Sequence, residues 1–432
     1  MPDTQSSRRN WLVALQGPLT YKEAVQRGDY DMYAGNLFGK YDNVRVYWED
    51  QLTRLVLRPV LADLVAQKRR TGRRVRILDL GAGTGQGYDL LTKIDPRNLD
   101  LGATHQWILP KEKVESYLGL DLDEAMVEKG RELFAENGRV HFEQADLREG
   151  LGSVKESQPP FDIYFSAYGS LSHLDTADLR RLLVDIGQHG RAGSLVVLDL
   201  LGRNSIEWPC YWSATSEADT WRDYSMSYLY PEDQRPNTIE WFPLRFWTGH
   251  EVEIFLKAIG SEQNFRFEVV KKFDRSVMVG RHVDTCEYNP QLKPLRRTVN
   301  RLHQDFMRTD LGELHCERTT LPSHPDPEVE HFFDELIHAW NTLVDFCQRR
   351  LASSISLTSL SDWATFSTPL QFALMTMDRV IDSIGTEWYG DPRANVVEPQ
   401  LGYALRSLER DLQRGLGAAH GLVVILRICK GE

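Results

Sequence analysis

Three alternating glycines follow an apolar segment near residue 80, and their spacing suits a turn that binds the polar groups of a ligand. The segment before them is typical of a buried strand, and the motif that ends it reads Asp79-x-Gly81-x-Gly83-x-Gly85. Glycine permits positive φ angles and close approach of the backbone to a ligand, because it has no Cβ atom. A helix predicted from Asp89 would direct its free N–H groups and positive dipole end at that ligand. The sequence therefore predicts the strand, turn and helix of a nucleotide-binding unit.

The spacing of these glycines excludes the dinucleotide-binding motif G-x-G-x-x-G. In the register that starts at Gly81 the third glycine would be residue 86, which is Gln86. In the register that starts at Gly83 it would be residue 88, which is Tyr88. An ordinary structural glycine turn remains the alternative to a ligand-binding turn.

Four further apolar segments are typical of strands, and helical patterns separate them. These segments cover residues 117–121, 140–146, 161–166 and 194–200. Five strands that alternate with helices form a parallel sheet with right-handed crossovers, and such sheets bind ligands at the carboxyl ends of their strands. The glycine motif, Asp121, Asp146 and residues 166–169 all fall at that edge.

This arrangement resembles the class I S-adenosylmethionine-dependent methyltransferases. The resemblance covers about residues 75–200 and implies an α/β fold with a Rossmann-like, seven-stranded sheet and helices on both faces. It also implies an enzyme of the EC 2.1.1 type, with S-adenosylmethionine as cofactor and S-adenosylhomocysteine as product. The link between the first two strands, residues 95–116, is longer than is usual in the family.

The resemblance assigns cofactor contacts at the predicted sheet edge. The glycine turn would hold the amino-acid end of S-adenosylmethionine, Asp121 the two ribose hydroxyls and Asp146 the exocyclic amine of adenine. The segment 166–170 resembles the family motif that follows the fourth strand and lines the reacting centre. For each acid, a helix cap or turn residue is the alternative. The implied cofactor-binding residues are Asp79, Gly81, Ala82, Gly83, Gly85, Asp121, Leu122, Asp146, Leu147, Ser166 and Tyr168.

The implied reaction is an in-line displacement at a sulfonium methyl group, which requires an aligned nucleophile and exclusion of water. The segment after the fourth strand lacks the [Asp/Asn]-Pro-Pro-[Tyr/Phe] motif that would imply methylation of a planar amino group. Tyr168 and His173 are the catalytic candidates in this segment. We expect Tyr168 to line the pocket, and His173 is the nearest candidate for a base, with a structural role before a helix as its alternative.

Residues 201–250 are rich in aromatic side chains and follow the fifth predicted strand. We expect them either to line a substrate pocket or to form a small separate core beneath a long loop. The candidate substrate-binding residues are Trp212, Arg245, His250 and His282.

The composition argues against nucleic-acid, metal and membrane binding. The 432 residues carry a formal net charge of −11, whereas phosphate neutralisation requires a basic face. The five cysteines show no C-x-x-C spacing, which predicts neither a zinc site nor a disulfide framework. No apolar run approaches the ~20 residues of a membrane helix, and the N-terminus lacks the apolar region of a signal peptide. We therefore expect a cytoplasmic protein, with a homodimer through the amphipathic helix 329–351 left open.

The rest of the chain divides around the predicted core. We expect an N-terminal helical and aromatic segment at 1–74, the cofactor-binding core at 75–282, a helical insertion at 283–418 and a closing strand at 419–432. The insertion would leave from the active-site edge after a sixth strand, so we predict that it caps the site together with the N-terminal segment. A separate C-terminal domain packed elsewhere is the alternative.

We expect the protein to methylate an oxygen, nitrogen or carbon nucleophile of a small molecule. One alternative is a methyltransferase that acts on protein or RNA, although the acidic net charge disfavours RNA. Another is a non-catalytic scaffold that uses the same fold to bind the cofactor.

Overall fold

The fold is built on one mixed, mostly parallel sheet with helices on both faces. The structure is a computed structural model that describes residues 37–97, 102, 104, 106–213, 220–230, 235, 239–353, 355–384 and 390–431. The strands in this part of the chain are β1 (Val75–Leu80), β2 (Val114–Asp121), β3 (Val140–Gln144), β4 (Ile163–Phe165), β5 (Leu195–Gly202), β6 (Trp221–Ser225), β7 (Trp241–Trp247), β8 (Phe265–Arg275) and β9 (Gly421–Lys430). The α-helices are α1 (Asp50–Arg70), α2 (Gln86–Thr92), α3 (Glu124–Leu133), α4 (Val154–Ser157), α5 (Thr176–His189), α6 (Gly249–Glu262), α7 (Leu295–Leu302), α8 (Pro327–Ala352), α9 (Thr368–Ser383) and α10 (Glu398–Leu412).

Seven of the strands form the predicted Rossmann-like sheet. Their order is β3-β2-β1-β4-β5-β9-β8, and the neighbouring pairs from β3 to β5 are parallel. Strand β9 lies antiparallel between β5 and β8, where Val423 pairs with Asp199 and Ile425 with Val197. The predicted closing strand is therefore confirmed, and the helices between β8 and β9 are an insertion in the sheet's chain order.

The sheet separates two apolar cores. Successive side chains of a strand point to opposite faces, so Ile77 belongs to the core beneath α1 and Leu78 to the core beneath α5 and α6. Strand β5 is buried along its whole length, which explains why its sequence is almost continuously apolar.

The aromatic segment contains two strands that the sequence pattern did not predict. Strands β6 and β7 form an antiparallel pair in which Tyr224 lies opposite Phe242. Strand β7 also extends the end of β5 in parallel, through Leu201 and Phe246. Dense aromatic composition obscured this pairing, because aromatic residues favour strands and small cores alike.

The segment before α1 carries a π-helical turn at Arg45–Glu49. Such turns are rare and frequently occur at functional sites. The first 36 residues of the predicted N-terminal segment lie outside the described residues. No helix in the described part of the chain combines the length and apolar character needed to cross a membrane.

A buried ion cluster ties the inserted helix α7 to this N-terminal segment. Arg296 on α7 donates from Nε and Nη2 to the two carboxylate oxygens of Asp42, at 2.7 and 2.8 Å. Its Nη1 donates to Glu49 Oε1 at 2.8 Å. All three side chains are buried, so each charge depends on its partners for stabilisation.

We predict that Arg296→Ala lowers the free energy of unfolding by about 3–5 kcal/mol, because the buried carboxylate of Asp42 loses its cation. Denaturant titration measures the loss. The matched control is Arg301→Ala on the same helix, since the ion pair of Arg301 with Glu313 is exposed. That control should cost no more than about 1 kcal/mol, and equal losses in the two variants would contradict the prediction.

Candidate active site

A partly open cavity of about 570 Å³ lies at the carboxyl ends of β1, β2, β4 and β5. Its wall includes the glycine turn after β1, Asp121 at the end of β2, Tyr168 after β4 and Leu201 in β5. The volume is that of a small-molecule site. The chain thus forms a cavity at the sheet edge where the sequence predicted one.

The glycine turn serves both packing and access. Gly81 and Gly83 have φ angles of 72° and 54°, in the left-handed region that favours glycine. A Cβ atom at residue 81 would lie 2.6 Å from Ser170 Cβ, so this position must be small to pack. A Cβ atom at residue 83 would meet no atom within 4 Å. The backbone at Gly83 therefore borders open space that a ligand can use.

Asp121 lies beside this turn, and the long link before β2 does not displace it. Strand β2 pairs with β1 in register through Leu80 and Leu120. The backbone N–H of Gly83 donates to Asp121 Oδ2 at 2.7 Å, and that of Asp123 donates to Oδ1 at 3.0 Å. Because a carboxylate can accept about four hydrogen bonds, Asp121 retains acceptor capacity for two ligand hydroxyls. Burial raises the pKa of Asp121.

Asp79 is more deeply buried than its predicted role as a cofactor contact requires. It is buried, it accepts a hydrogen bond from the hydroxyl of Tyr117, and burial raises its pKa to about 7. A Cβ atom at Gly87 would come within 2.0 Å of Asp79 Oδ2, so α2 packs directly against this carboxylate. Asp79 therefore positions the first turn of α2 as well as bordering the cavity.

Asp146 lines the cavity together with Leu147 and Arg148. Its two carboxylate oxygens accept from Arg148 Nε at 2.9 Å each, and this hydrogen bonding lowers the pKa of Asp146. Arg148 is exposed. Because an exposed ion pair contributes little free energy, a ligand amine can compete for the carboxylate at low cost.

Tyr168 borders the cavity as predicted, but its hydroxyl is engaged elsewhere. The residue has a φ of 61°, a conformation that is uncommon outside glycine and often marks functional sites. Asp199 Oδ2 accepts the Tyr168 backbone N–H at 2.6 Å and holds this turn. The hydroxyl donates to Asp50 Oδ1 at 2.6 Å, and the Arg45 guanidinium lies 3.1 Å above the ring centroid. Burial raises the pKa of Tyr168 far above its usual range, so this side chain packs and positions rather than accepting a proton.

His173 also lies on the cavity wall, where its ring stacks on Phe242 with the centroids 5.3 Å apart. Burial lowers the pKa of His173 to about 4, so the ring is neutral near pH 7. Among the described residues, no hydrogen bond orients this imidazole. His173 is therefore a neutral residue of the cavity wall. Because no described residue fixes which ring nitrogen carries the proton, the structure gives no support to its predicted role as a base.

Two predicted cofactor contacts do not line the cavity. Gly85 is the N-cap of α2 and packs on Phe142, whose ring would lie 2.6 Å from a Cβ atom there. Ser166 is fully buried at the end of β4. The other implied cofactor residues all border the cavity: Asp79, Gly81, Ala82, Gly83, Asp121, Leu122, Asp146, Leu147 and Tyr168.

The four predicted substrate-binding residues are not part of the cavity wall, which corrects that prediction. Trp212 is buried, and its Nε1 donates to a backbone carbonyl. Leu244 on β7 lines the cavity, and successive residues of a strand point to opposite faces. Arg245 therefore points away from the cavity, where it stacks on Trp247. His250 is exposed at the start of α6, and His282 is buried behind the wall.

Residues of the aromatic segment both line the cavity and form a small separate core. Tyr224, Tyr228 and Phe242 line the cavity. Trp208 and Phe246 pack with Tyr224 in a small separate core.

The predicted helical cap gains no support from the composition of the cavity wall. Among the described residues of α7 to α10, none lines the cavity. The wall comes instead from Lys40 and Arg45 in the N-terminal segment, Arg281 after β8, and His420 before β9. The inserted helices lie behind the N-terminal segment, because their buried charges pair with it rather than with the cavity.

These four wall residues were not predicted from the sequence, although the position of one of them could have indicated it. Lys40 and Arg45 lie outside any motif, and only long-range folding brings them to the glycine turn. His420 directly precedes β9. Since β9 is antiparallel, its amino end lies at the same edge as the carboxyl ends of its neighbours, and the predicted closing strand could have flagged His420.

A family model described as a methyltransferase domain matches residues 99–193, a stretch that begins before β2 and ends before β5. The chain therefore contains a methyltransferase domain. The match includes Asp121, Asp146 and Tyr168, whereas the glycine turn lies before it and is supported by its geometry. No curated protein matches the sequence.

Solved methyltransferase structures resemble the chain over about half its length. An S-adenosylmethionine-dependent methyltransferase from Clostridium acetobutylicum is 16% identical, covering 50% of this chain and 83% of its own, with a TM-score of 0.30. The glycopeptide N-methyltransferase MtfA is 19% identical, with 50% and 82% covered and a TM-score of 0.30. Phosphoethanolamine N-methyltransferase 1 from Haemonchus contortus is 15% identical, with 52% and 40% covered and a TM-score of 0.31. At these values the similarities carry no information about substrate.

The cofactor of this methyltransferase family is S-adenosylmethionine, and the cavity of the domain suits it in three ways. The backbone at Gly83 borders open space. Asp121 keeps acceptor capacity beside it. Arg45 Nη1 is buried without a hydrogen-bond partner among the described residues, while its Nη2 donates to Gln86 Oε1 at 3.2 Å, directly after the glycine turn.

We predict that Gly83→Ala weakens S-adenosylhomocysteine binding by at least about tenfold (1.4 kcal/mol), because its Cβ occupies the open space. The matched control is Gly72→Ala, where φ is also positive, at 65°, and a Cβ atom meets nothing within 4 Å. Gly72 lies outside the cavity wall. Both variants pay about 1–2 kcal/mol of backbone strain, but only the first should lose affinity in calorimetry. Equal affinity in the two variants would remove the glycine turn from the binding site.

Proposed function

We propose that the protein transfers a methyl group from S-adenosylmethionine to an oxygen, nitrogen or carbon nucleophile of a small molecule. The observation that carries the proposal is the composition of the cavity wall. The glycine turn and Asp121 supply the cofactor contacts of the methyltransferase domain. Residues from outside the matched stretch, such as Lys40, Tyr224 and Arg281, close the same cavity. A cavity of about 570 Å³ that is lined by several segments of the chain supports a small acceptor over a protein or RNA.

The proposed mechanism is an in-line displacement in which the protein aligns the acceptor and excludes water. Bound S-adenosylmethionine supplies an electrophilic methyl group on a sulfonium. We assign the methionine carboxylate to Arg45, whose buried Nη1 lacks a hydrogen-bond partner among the described residues, and the ribose hydroxyls to Asp121. Tyr228 and Phe242 contribute apolar wall that restricts water.

The charge of the wall favours an acceptor with an anionic group. Lys40, Arg45 and Arg281 all border the cavity. Arg45 and Arg281 both pair with the carboxylate of Glu49, and Arg45 Nε also donates to Asp50 Oδ1 at 2.7 Å. Burial and the two arginines lower the pKa of Lys40. A carboxylate or phosphate on the acceptor would complement this part of the wall.

We predict that Asp121→Ala weakens binding of S-adenosylhomocysteine by about 1–3 kcal/mol, because buried ligand hydroxyls lose their acceptor. Isothermal calorimetry measures the change. Asp89→Ala is the matched control, since Asp89 lies on α2 outside the cavity wall and pairs with Lys93 and Lys111. Absence of binding by the unmodified protein would refute the proposal.

A second experiment identifies the size of the methyl acceptor. The protein is incubated with radiolabelled S-adenosylmethionine and cell extract, the products are separated by ultrafiltration, and chromatography of the filtrate removes unreacted S-adenosylmethionine. We expect the label in the small-molecule fraction, and in acidic compounds within it. Label confined to protein or RNA would contradict the proposed substrate class, and cofactor binding without transfer would favour the scaffold.

A further inference from the structure

A buried glutamate, a histidine and a tyrosine form a hydrogen-bonded chain that reaches the cavity. Glu207 Oε2 lies 2.8 Å from His420 Nδ1, and His420 Nε2 lies 3.4 Å from the hydroxyl oxygen of Tyr224. His420 and Tyr224 line the cavity, whereas Glu207 has no exposed surface. This is the arrangement of an acid that orients a histidine toward a reacting centre.

The carboxylate of Glu207 is held in place by several donors. Its Oε1 accepts the backbone N–H of His282 at 2.5 Å, and Oε2 accepts the hydroxyl of Ser205 at 3.2 Å. A Cβ atom at Gly280 would come within 2.2 Å of Oε2, so only glycine leaves room for the carboxylate there. The packing around Glu207 therefore fixes one position for the group that orients His420.

The hydrogen bonds determine the tautomer of His420. A carboxylate accepts hydrogen bonds and cannot donate them, so the proton of the neutral imidazole must lie on Nδ1 and face Glu207. The lone pair then lies on Nε2, next to Tyr224. At 3.4 Å the tyrosine contact is long for an O–H···N bond. The substrate that accepts the methyl group can therefore replace the Tyr224 hydroxyl at Nε2 at low cost.

The fold places this histidine at the edge where the cofactor site lies. The backbone carbonyl of His420 accepts from the N–H of Gly202, which ends β5, at 3.2 Å. Glu207 follows β5, and Tyr224 lies on β6. Among the described residues, His173 lines the cavity without an orienting partner and His282 lies behind the wall, so His420 alone combines an orienting acid with access to the cavity.

We propose that His420 is the general base of the methyl transfer and that Glu207 is its positioning residue. The inference rests on the proposed function and narrows the substrate class to acceptors that carry a removable proton on oxygen or nitrogen. The acceptor's lone pair forms the bond to the methyl carbon. The carbon–sulfur bond breaks, and its electron pair stays on sulfur as a neutral thioether. The acceptor's proton passes to His420 Nε2, and the Glu207 carboxylate stabilises the resulting imidazolium.

The tautomer can be measured without a substrate. Nitrogen-15 NMR of the histidine-labelled protein, assigned with the His420→Gln variant, should show Nδ1 protonated and Nε2 unprotonated in the neutral ring of His420. In Glu207→Gln this preference should weaken, because an amide can donate as well as accept. A proton on Nε2 of the unmodified protein would overturn the inference, since that nitrogen could not then accept one.

Turnover gives the second readout. His420→Gln should lower methyl transfer in cell extract by about 10²–10⁴-fold, the usual contribution of a general base, while S-adenosylhomocysteine affinity changes less than about twofold. The control is His250→Gln, whose side chain is exposed outside the cavity, and it should retain full activity. An unchanged rate in His420→Gln would overturn the inference and leave the proposed function standing. Failure of the unmodified protein to bind S-adenosylhomocysteine would instead overturn the proposed function.

Discussion

The cavity wall depends on one buried carboxylate, that of Glu49. Arg281 Nη2 and Arg296 Nη1 lie 3.1 and 2.8 Å from its oxygens, and Arg45 Nη1 lies 4.0 Å away. Burial would raise the pKa of Glu49, but these three guanidinium groups hold it well below its ordinary value. Glu49 is thus ionised in the interior, where a charge is stable only with partners in good geometry.

The ion pairs of Glu49 connect the inserted helices to the wall of the cavity. Arg45 and Arg281 border the cavity, whereas Arg296 belongs to α7 behind it. A second buried acid, Glu409 on α10, accepts from Trp48 Nε1 at 3.3 Å and from the backbone N–H of Ser276 at 2.7 Å. The insertion therefore stabilises the segments that form the wall, which explains how it can matter for the site without covering it.

Local patterns in the sequence predicted the sheet and most of the residues that border the cavity near the glycine turn. The glycine turn and Asp121 are set by strand ends, and a strand end can be read from an apolar run followed by glycine or an acid. Asp146 was placed at the cavity on the same grounds, although its pairing with Arg148 was not foreseen. The predicted closing strand followed from an apolar run in the same way.

The residues that we assign to the methyl acceptor could not be predicted from local patterns, because they meet only through long-range contacts. Glu207 and His420 are 213 positions apart in the chain, and no spacing rule connects them. Arg245 was a reasonable polar candidate on composition, but the two-residue period of β7 turns it away from the cavity that Leu244 lines. The register of an unpredicted strand pair decides which residue faces the cavity.

The most direct test of the account is a crystal structure of the protein with S-adenosylhomocysteine. We expect the ribose hydroxyls on Asp121, the methionine carboxylate near Arg45, and the sulfur facing the part of the cavity that His420 Nε2 borders. S-adenosylhomocysteine bound outside this cavity, or bound with its ribose away from Asp121, would contradict it.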